Sequence, residues 1–167
     1  MKKKTKIILV CILLGIVVIG GGVWYQVQKV AQEKQELIQK SAKEIDEFYK
    51  WNYIGVEKTT TGKLWRNPAS GDLQLNYNVY LNSGKKQTLS AEWDSKKNII
   101  LVPFKNGEKN KPTIKVPESG QYIPHSSRFL LQPKDIQKLK KQGYSTNIDG
   151  KQIKLFLIKE HPQKFEH

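Results

Sequence analysis

The chain has 167 residues, 29 Lys and Arg against 15 Asp and Glu, a formal net charge of +14 and a single cysteine. One cysteine excludes an internal disulfide, so the fold has to stand on packing alone, and His125, His161 and His167 have no metal-ligand spacing. A surface this basic attracts anionic lipid, acidic wall polymer or acidic protein, although lysines scattered on a solvated surface need no polyanion.

Lys2, Lys3, Lys4 and Lys6 come first, followed by the uncharged run Ile7 to Tyr25; the next charge is Lys29. As a helix that run spans about 28 Å, close to the hydrocarbon thickness of a bilayer. Residues 1–25 therefore read as cytoplasmic lysines and a transmembrane signal-anchor. Lys6, Trp24 and Tyr25 mark the two membrane interfaces, and the positive-inside bias leaves the C-terminal domain outside the cell. A cleaved signal peptide is the rival reading, with Gly20 and Gly22 as small residues near the end of the run. Lipidation at Cys11 fits less well, because bulky Val10 precedes it. The remaining basic excess is +10, from 25 basic and 15 acidic residues. About 140 residues are left for one domain. A cysteine-free outer domain suits a single-membrane Gram-positive cell, and an outward-facing domain leaves nucleic acid out as a partner.

Residues 26–50 continue as a stalk and packing helix. Val27, Val30, Leu37, Ile38, Ile45 and Phe48 recur at helical spacing, and the apolar face turns to a sheet from Leu37 onward. Glu36 with Lys40, and Asp46 with Lys50, stand in the favourable i,i+4 order. The heptads are too few and too irregular to favour a coiled-coil dimer.

Residues 51–158 change to period 2. Trp51 to Lys58 reads as a first strand, Thr59 to Gly62 as a turn and Lys63 to Arg66 as a short strand. Asn67 to Gly71 is a strong turn signal, with Pro68 fixing φ and Gly71 free to take φ > 0. Asp72 to Asn82 is the clearest strand. Leu73, Leu75, Tyr77, Val79 and Leu81 face the core, while Gln74, Asn76, Asn78, Tyr80 and Asn82 face water. Gln87 to Trp93 returns after a turn, and the apolar stretch Asn98 to Phe104 reads as a central strand. Lys105 to Lys111 is an exposed loop. Prolines 112, 117, 124 and 133 limit Thr113 to Val116 and Gln121 to Ile123 to short or edge strands. A short second helix runs from Gln132 to Gly143, with Pro133 in its first turn and Gly143 at its C-cap. Tyr144 to Ile148 and Lys151 to Ile158, joined at Asp149-Gly150, read as a C-terminal β-hairpin. Residues 159–167 read as a frayed tail.

Ile45, Phe48, Asn52-Tyr53, Val56, Asn67-Pro68 with Gly71, Tyr80 and Asn82 form a pattern. It resembles a family of small membrane-anchored Gram-positive proteins known only as a domain of unknown function. The resemblance covers roughly residues 1–93. Here the family's Asn-Pro-Met-Gly-Gly-like turn is Asn67-Pro68-Ala69-Ser70-Gly71. The resemblance implies a helix-on-sheet fold and surface exposure, and it brings no activity or site.

The expected fold is α+β: an N-terminal transmembrane helix, then a helix packed on an antiparallel sheet of about five to seven strands, cystatin-like in style. A β-sandwich is the fold alternative. No catalytic residue, cofactor or metal site is expected. His125-Ser126-Ser127 has no nucleophile elbow, and no glycine-rich phosphate loop follows a strand. The candidate binding face is Gln74, Asn76, Asn78 and Tyr80. Trp51, Trp65 and Trp93 are assigned to the core. The expected function is a non-enzymatic binding module that captures a surface or secreted protein, in its most concrete form an immunity-type protector against a toxin. The alternative is a basic module docked on anionic cell-wall polymer or lipid.

Overall fold

The computed structural model describes the backbone of residues 3–93, 99–100, 109–117 and 129–165, and the side chains within 24–92, 109–117 and 129–165. Helix α1 runs Lys3–Asn52. It is followed by β1 (Tyr53–Ile54), β2 (Val56–Arg66), β3 (Leu73–Leu81), β4 (Lys86–Trp93), β5 (Ile99–Ile100) and β6 (Thr113–Ile114). Helices α2 (Pro133–Lys141) and α3 (Gly150–Glu160) and a 3-10 turn at Pro162–Lys164 complete the chain. The protein is α+β, with a helix packed against an antiparallel sheet.

The chain divides into two compact units, Met1–Gln39 and Lys40–His167. In the first, Trp24, Tyr25, Val27 and Val30 are exposed. Among the described residues no helix is long and apolar enough to cross a membrane; the side chains of Lys6 and of the run from Ile7 to Val23 lie outside them.

In the second unit the last turns of α1 bury Ile45, Phe48, Tyr49 and Trp51. Full burial of side chains this size contributes about 1.5–3 kcal/mol each. On the sheet, Leu75, Tyr77, Val79 and Leu81 are buried, following the period-2 pattern of β3. Tyr49 of α1 and Tyr77 of β3 meet hydroxyl to hydroxyl at 2.8 Å, and Tyr49 stacks on Tyr53 with centroids 5.3 Å apart. Asp46 accepts from the Thr59 N–H at 3.1 Å and from its hydroxyl at 3.2 Å, tying α1 to β2.

The described strands form two sheets rather than one. The larger is antiparallel in the order β2-β3-β4-β5, and the smaller pairs β1 with β6. Tyr53 opposes Ile114, so Thr113-Ile114 is a short strand as its flanking prolines require. A second core cluster joins Trp51, Val116, Phe129 and Leu131 to Ile136, Leu139, Ile148, Ile153, Phe156 and Leu157.

Several sequence expectations are corrected. The C-terminal hairpin is absent: residues 150–160 are the helix α3. Asp149 caps it by accepting from the Lys151 N–H at 3.2 Å. An Asp-Gly pair serves a hairpin turn or a helix start equally well, and Ile153, Phe156 and Leu157 at i, i+3, i+4 decide for the helix. The expected first strand begins only at Tyr53, because α1 continues through Asn52, whose side-chain amide caps the Phe48 carbonyl at 2.9 Å. The expected turn at Thr59 to Gly62 is instead part of β2, held by Asp46 and interrupted by an irregularity between Thr61 and Leu64. Among the described residues β5 ends the strand order; the rest of the expected central strand, residues 98 and 101–104, lies outside them. The tail is docked, with Phe165 packed on Phe129 at 5.6 Å between centroids.

The Asn67–Gly71 turn is as expected. Asn67 Oδ1 accepts from the Ala69 N–H at 2.9 Å, the Gly71 N–H returns to the Asn67 carbonyl at 2.8 Å, and Gly71 has φ +76°. Helix α2 also matches, with Pro133 in its first turn and Gly143 at φ +87° just past its end.

Candidate functional site: the outer face of the sheet

Register across β2, β3 and β4 arranges the residues of the outer face in rows. Lys58, Tyr80 and Lys86 form one row and Thr60, Asn78 and Thr88 the next; Asn76 pairs with Ser90, and Trp65, Gln74 and Glu92 close the set. In an antiparallel sheet such cross-strand neighbours are near enough to bond.

The amides of β3 organise the middle of this face. Asn78 Oδ1 accepts from the Thr88 hydroxyl at 2.8 Å, and its Nδ2 donates to the Thr60 Oγ1 at 3.3 Å. Asn76 Oδ1 accepts from the Ser90 hydroxyl at 2.7 Å and from the Trp65 indole N–H at 3.4 Å. These bonds orient both amides and leave the Asn76 NH2 group without a protein acceptor among the described residues. At one end the Lys58 ammonium lies 5.5 Å from the Tyr80 ring centroid, a cation–π arrangement.

Of the four residues singled out on this face, Asn76, Asn78 and Tyr80 lie on it with exposed or half-buried side chains. Gln74 is buried; its Nε2 donates to Glu92 Oε1 at 2.6 Å, so it acts as a cross-strand tie rather than a contact residue. Its neighbours in register are Trp65 and Glu92.

Trp65 is the residue that sequence reasoning missed. The sequence pattern assigns it to the core, whereas it is 39 % exposed. Gly62 and Lys63 lie between the pairs Thr61–Tyr77 and Leu64–Leu75, so two residues of β2 oppose one of β3. That extra residue inverts the alternation, burying Leu64 and turning Trp65 outward. The glycine in an otherwise threonine-rich strand was the available signal. Trp51 is buried as expected, and Trp93 lies outside the residues with described side chains.

Among the described residues no group of three His, Cys, Asp or Glu is placed to hold a metal. His161 Nε2 lies 2.8 Å from Asp135 Oδ1, while Asp135 Oδ2 accepts from the Gln132 N–H at 3.0 Å at the start of α2. That pairing joins the end of α3 to a helix cap, a structural task. His125 lies outside the described residues.

Comparison with protein-family models, curated proteins and solved structures finds no match to this chain. The functional reading therefore rests on the geometry of this face and on the N-terminal sequence.

Proposed function

We propose that this is a membrane-anchored extracytoplasmic binding module that captures a surface or secreted protein on the outer face of β2-β3-β4, without catalysing a reaction. One observation carries the reading. Asn78 is held by hydroxyls on both neighbouring strands, and Asn76 by the Ser90 hydroxyl on one side and the indole N–H of the exposed Trp65 on the other. A face whose polar groups are already oriented loses little side-chain entropy on binding, and an exposed tryptophan is the kind of anchor that dominates protein interfaces. An immunity-type protector against a toxin is the most concrete form of this function.

The membrane address is part of the proposal. Its support is the uncharged run from Ile7 to Tyr25 behind four lysines, with Trp24 and Tyr25 at the outer boundary. The resemblance of residues 1–93 to small anchored Gram-positive proteins agrees with that address.

The test is cross-linking in intact cells carrying the full chain, followed by a high-salt wash. One protein partner surviving the wash, and lost from the Asn76→Ala, Asn78→Ala and Trp65→Ala variants, is the expected result. Recovery of salt-labile wall polymer alone would overturn protein capture, because contacts between exposed charges are screened by salt.

A further inference from the structure

Helix α3 has two faces. Ile153, Phe156 and Leu157 belong to the second core cluster. Lys151, Lys154, Leu155, Ile158 and Lys159 fall on the opposite side at i, i+3, i+4, i+7 and i+8. Leu155 is 60 % exposed and Ile158 39 % exposed. No acidic residue interrupts this series. Asp149 is occupied as the N-cap, and Glu160 turns to the other side and pairs with Lys138 of α2. Lys154 is held at one border with its ammonium 5.8 Å from the Phe129 ring centroid.

We infer that this outer face of α3 is a second docking surface, and that its occupant is the anionic headgroup layer of a lipid bilayer. Charge complementarity selects the occupant. Two aliphatic side chains suit the shallow boundary between headgroups and acyl chains, and three lysines around them match anionic phosphates. Lysine stems extend along apolar surface while their ammonium groups stay among the headgroups, as this layout requires. The face lies on α3, outside the β2-β3-β4 surface assigned to protein capture. It would hold the folded domain against the membrane in addition to any N-terminal anchor.

The experiment uses the full chain, with Cys11→Ser as background and a nitroxide label at Leu155→Cys. It is reconstituted in vesicles of neutral phosphatidylcholine or of phosphatidylcholine with phosphatidylglycerol. A second label site, Ile158→Cys, guards against local damage, and Lys63→Cys on β2 is the control position. Flotation with the vesicles reports the anchor separately from the label. With phosphatidylglycerol, the labels on α3 lose accessibility to a water-soluble nickel chelate by about two-fold or more and gain accessibility to oxygen, while position 63 stays unchanged. Lys151→Gln, Lys154→Gln and Lys159→Gln together restore the neutral-vesicle value. Equal accessibility in both vesicles, or immersion unaffected by the triple substitution, overturns the inference. Shielding that appears only when an anionic wall polymer is added also overturns it. A chain that fails to float with the neutral vesicles refutes the anchor, and the labels in phosphatidylglycerol vesicles still decide the docking face; a chain that floats with neither overturns both.

Discussion

Asn52 and Leu131 are joined by a reciprocal pair of hydrogen bonds: Leu131 donates its N–H to Asn52 Oδ1 at 2.7 Å, and Asn52 Nδ2 donates to the Leu131 carbonyl at 3.0 Å. The same Nδ2 group caps the Phe48 carbonyl. One buried side chain thus ends α1 and imitates a strand partner for the segment that leads into α2. An aspartate lacks the donor and a leucine lacks both functions, so only an amide completes the arrangement.

Asn52→Leu leaves the Leu131 N–H and C=O unpaired in a buried site. The expected loss is about 2–4 kcal/mol, since each orphaned buried group costs about 1–3 kcal/mol. Urea unfolding followed by circular dichroism would show a lower midpoint with an unchanged slope. A midpoint within error of the wild type would rule out this role for Asn52.

Gly150 begins α3 directly against the backbone of Lys115. A Cβ there would stand 2.0 Å from the Lys115 carbonyl oxygen and 2.8 Å from its carbon. Gly150→Ala therefore forces two backbone segments apart and is expected to destabilise by about 1–3 kcal/mol. At Gly62 the nearest atom to an added Cβ is 3.4 Å away, so Gly62→Ala serves as the contrasting variant. Melting temperatures of the two variants should differ clearly, with Gly150→Ala the lower.

Burial, and to a lesser extent the neighbouring Tyr77, push the Tyr53 hydroxyl well above the usual phenol value of 10.0. The folded state therefore holds this proton more tightly than the unfolded chain. The stability it contributes is complete below about pH 10 and declines as pH rises beyond that value. Tyr53→Phe removes the dependence, so its stability curve should run flatter than the wild type above pH 10. Parallel curves in a denaturation series across that range would contradict this assignment.

Asp149→Ala discriminates between the helix and a two-residue hairpin at this position. Loss of the N-cap is expected to cost about 1 kcal/mol and to speed hydrogen exchange in the first turn of α3. Strand-like cross-chain exchange protection between residues 144–148 and 151–158 would mean that the helix is wrong.

The outer face of the sheet predicts a separation of stability from binding. Asn78→Ala breaks two exposed side-chain bonds and should cost about 1 kcal/mol or less of stability. Its effect on retention of a cross-linked partner should be far larger, with recovery falling about ten-fold or more, as removal of a central interface residue does. A variant that unfolds outright would move Asn78 from contact residue to structural residue.

The sequence by itself determined the elements whose local pattern has one packing solution. Strict alternation in β3 permits one buried face, Pro68 and Gly71 dictate a turn, and Pro133 with Gly143 brackets α2. Tertiary structure alone decided the remainder. Asp149-Gly150 became a helix cap because Ile153, Phe156 and Leu157 could reach the cluster around Trp51 and Leu131 only from a helix. One extra residue in β2 turned Trp65 out to solvent, and Gln74, bonded to Glu92 across the ladder, is buried. Asn52, quoted in the sequence only as half of a motif, acquired its task from Leu131, 79 positions away. Local sequence sets what each segment can bury; which segments meet is set by contacts between distant residues, and those placed the two faces proposed for binding.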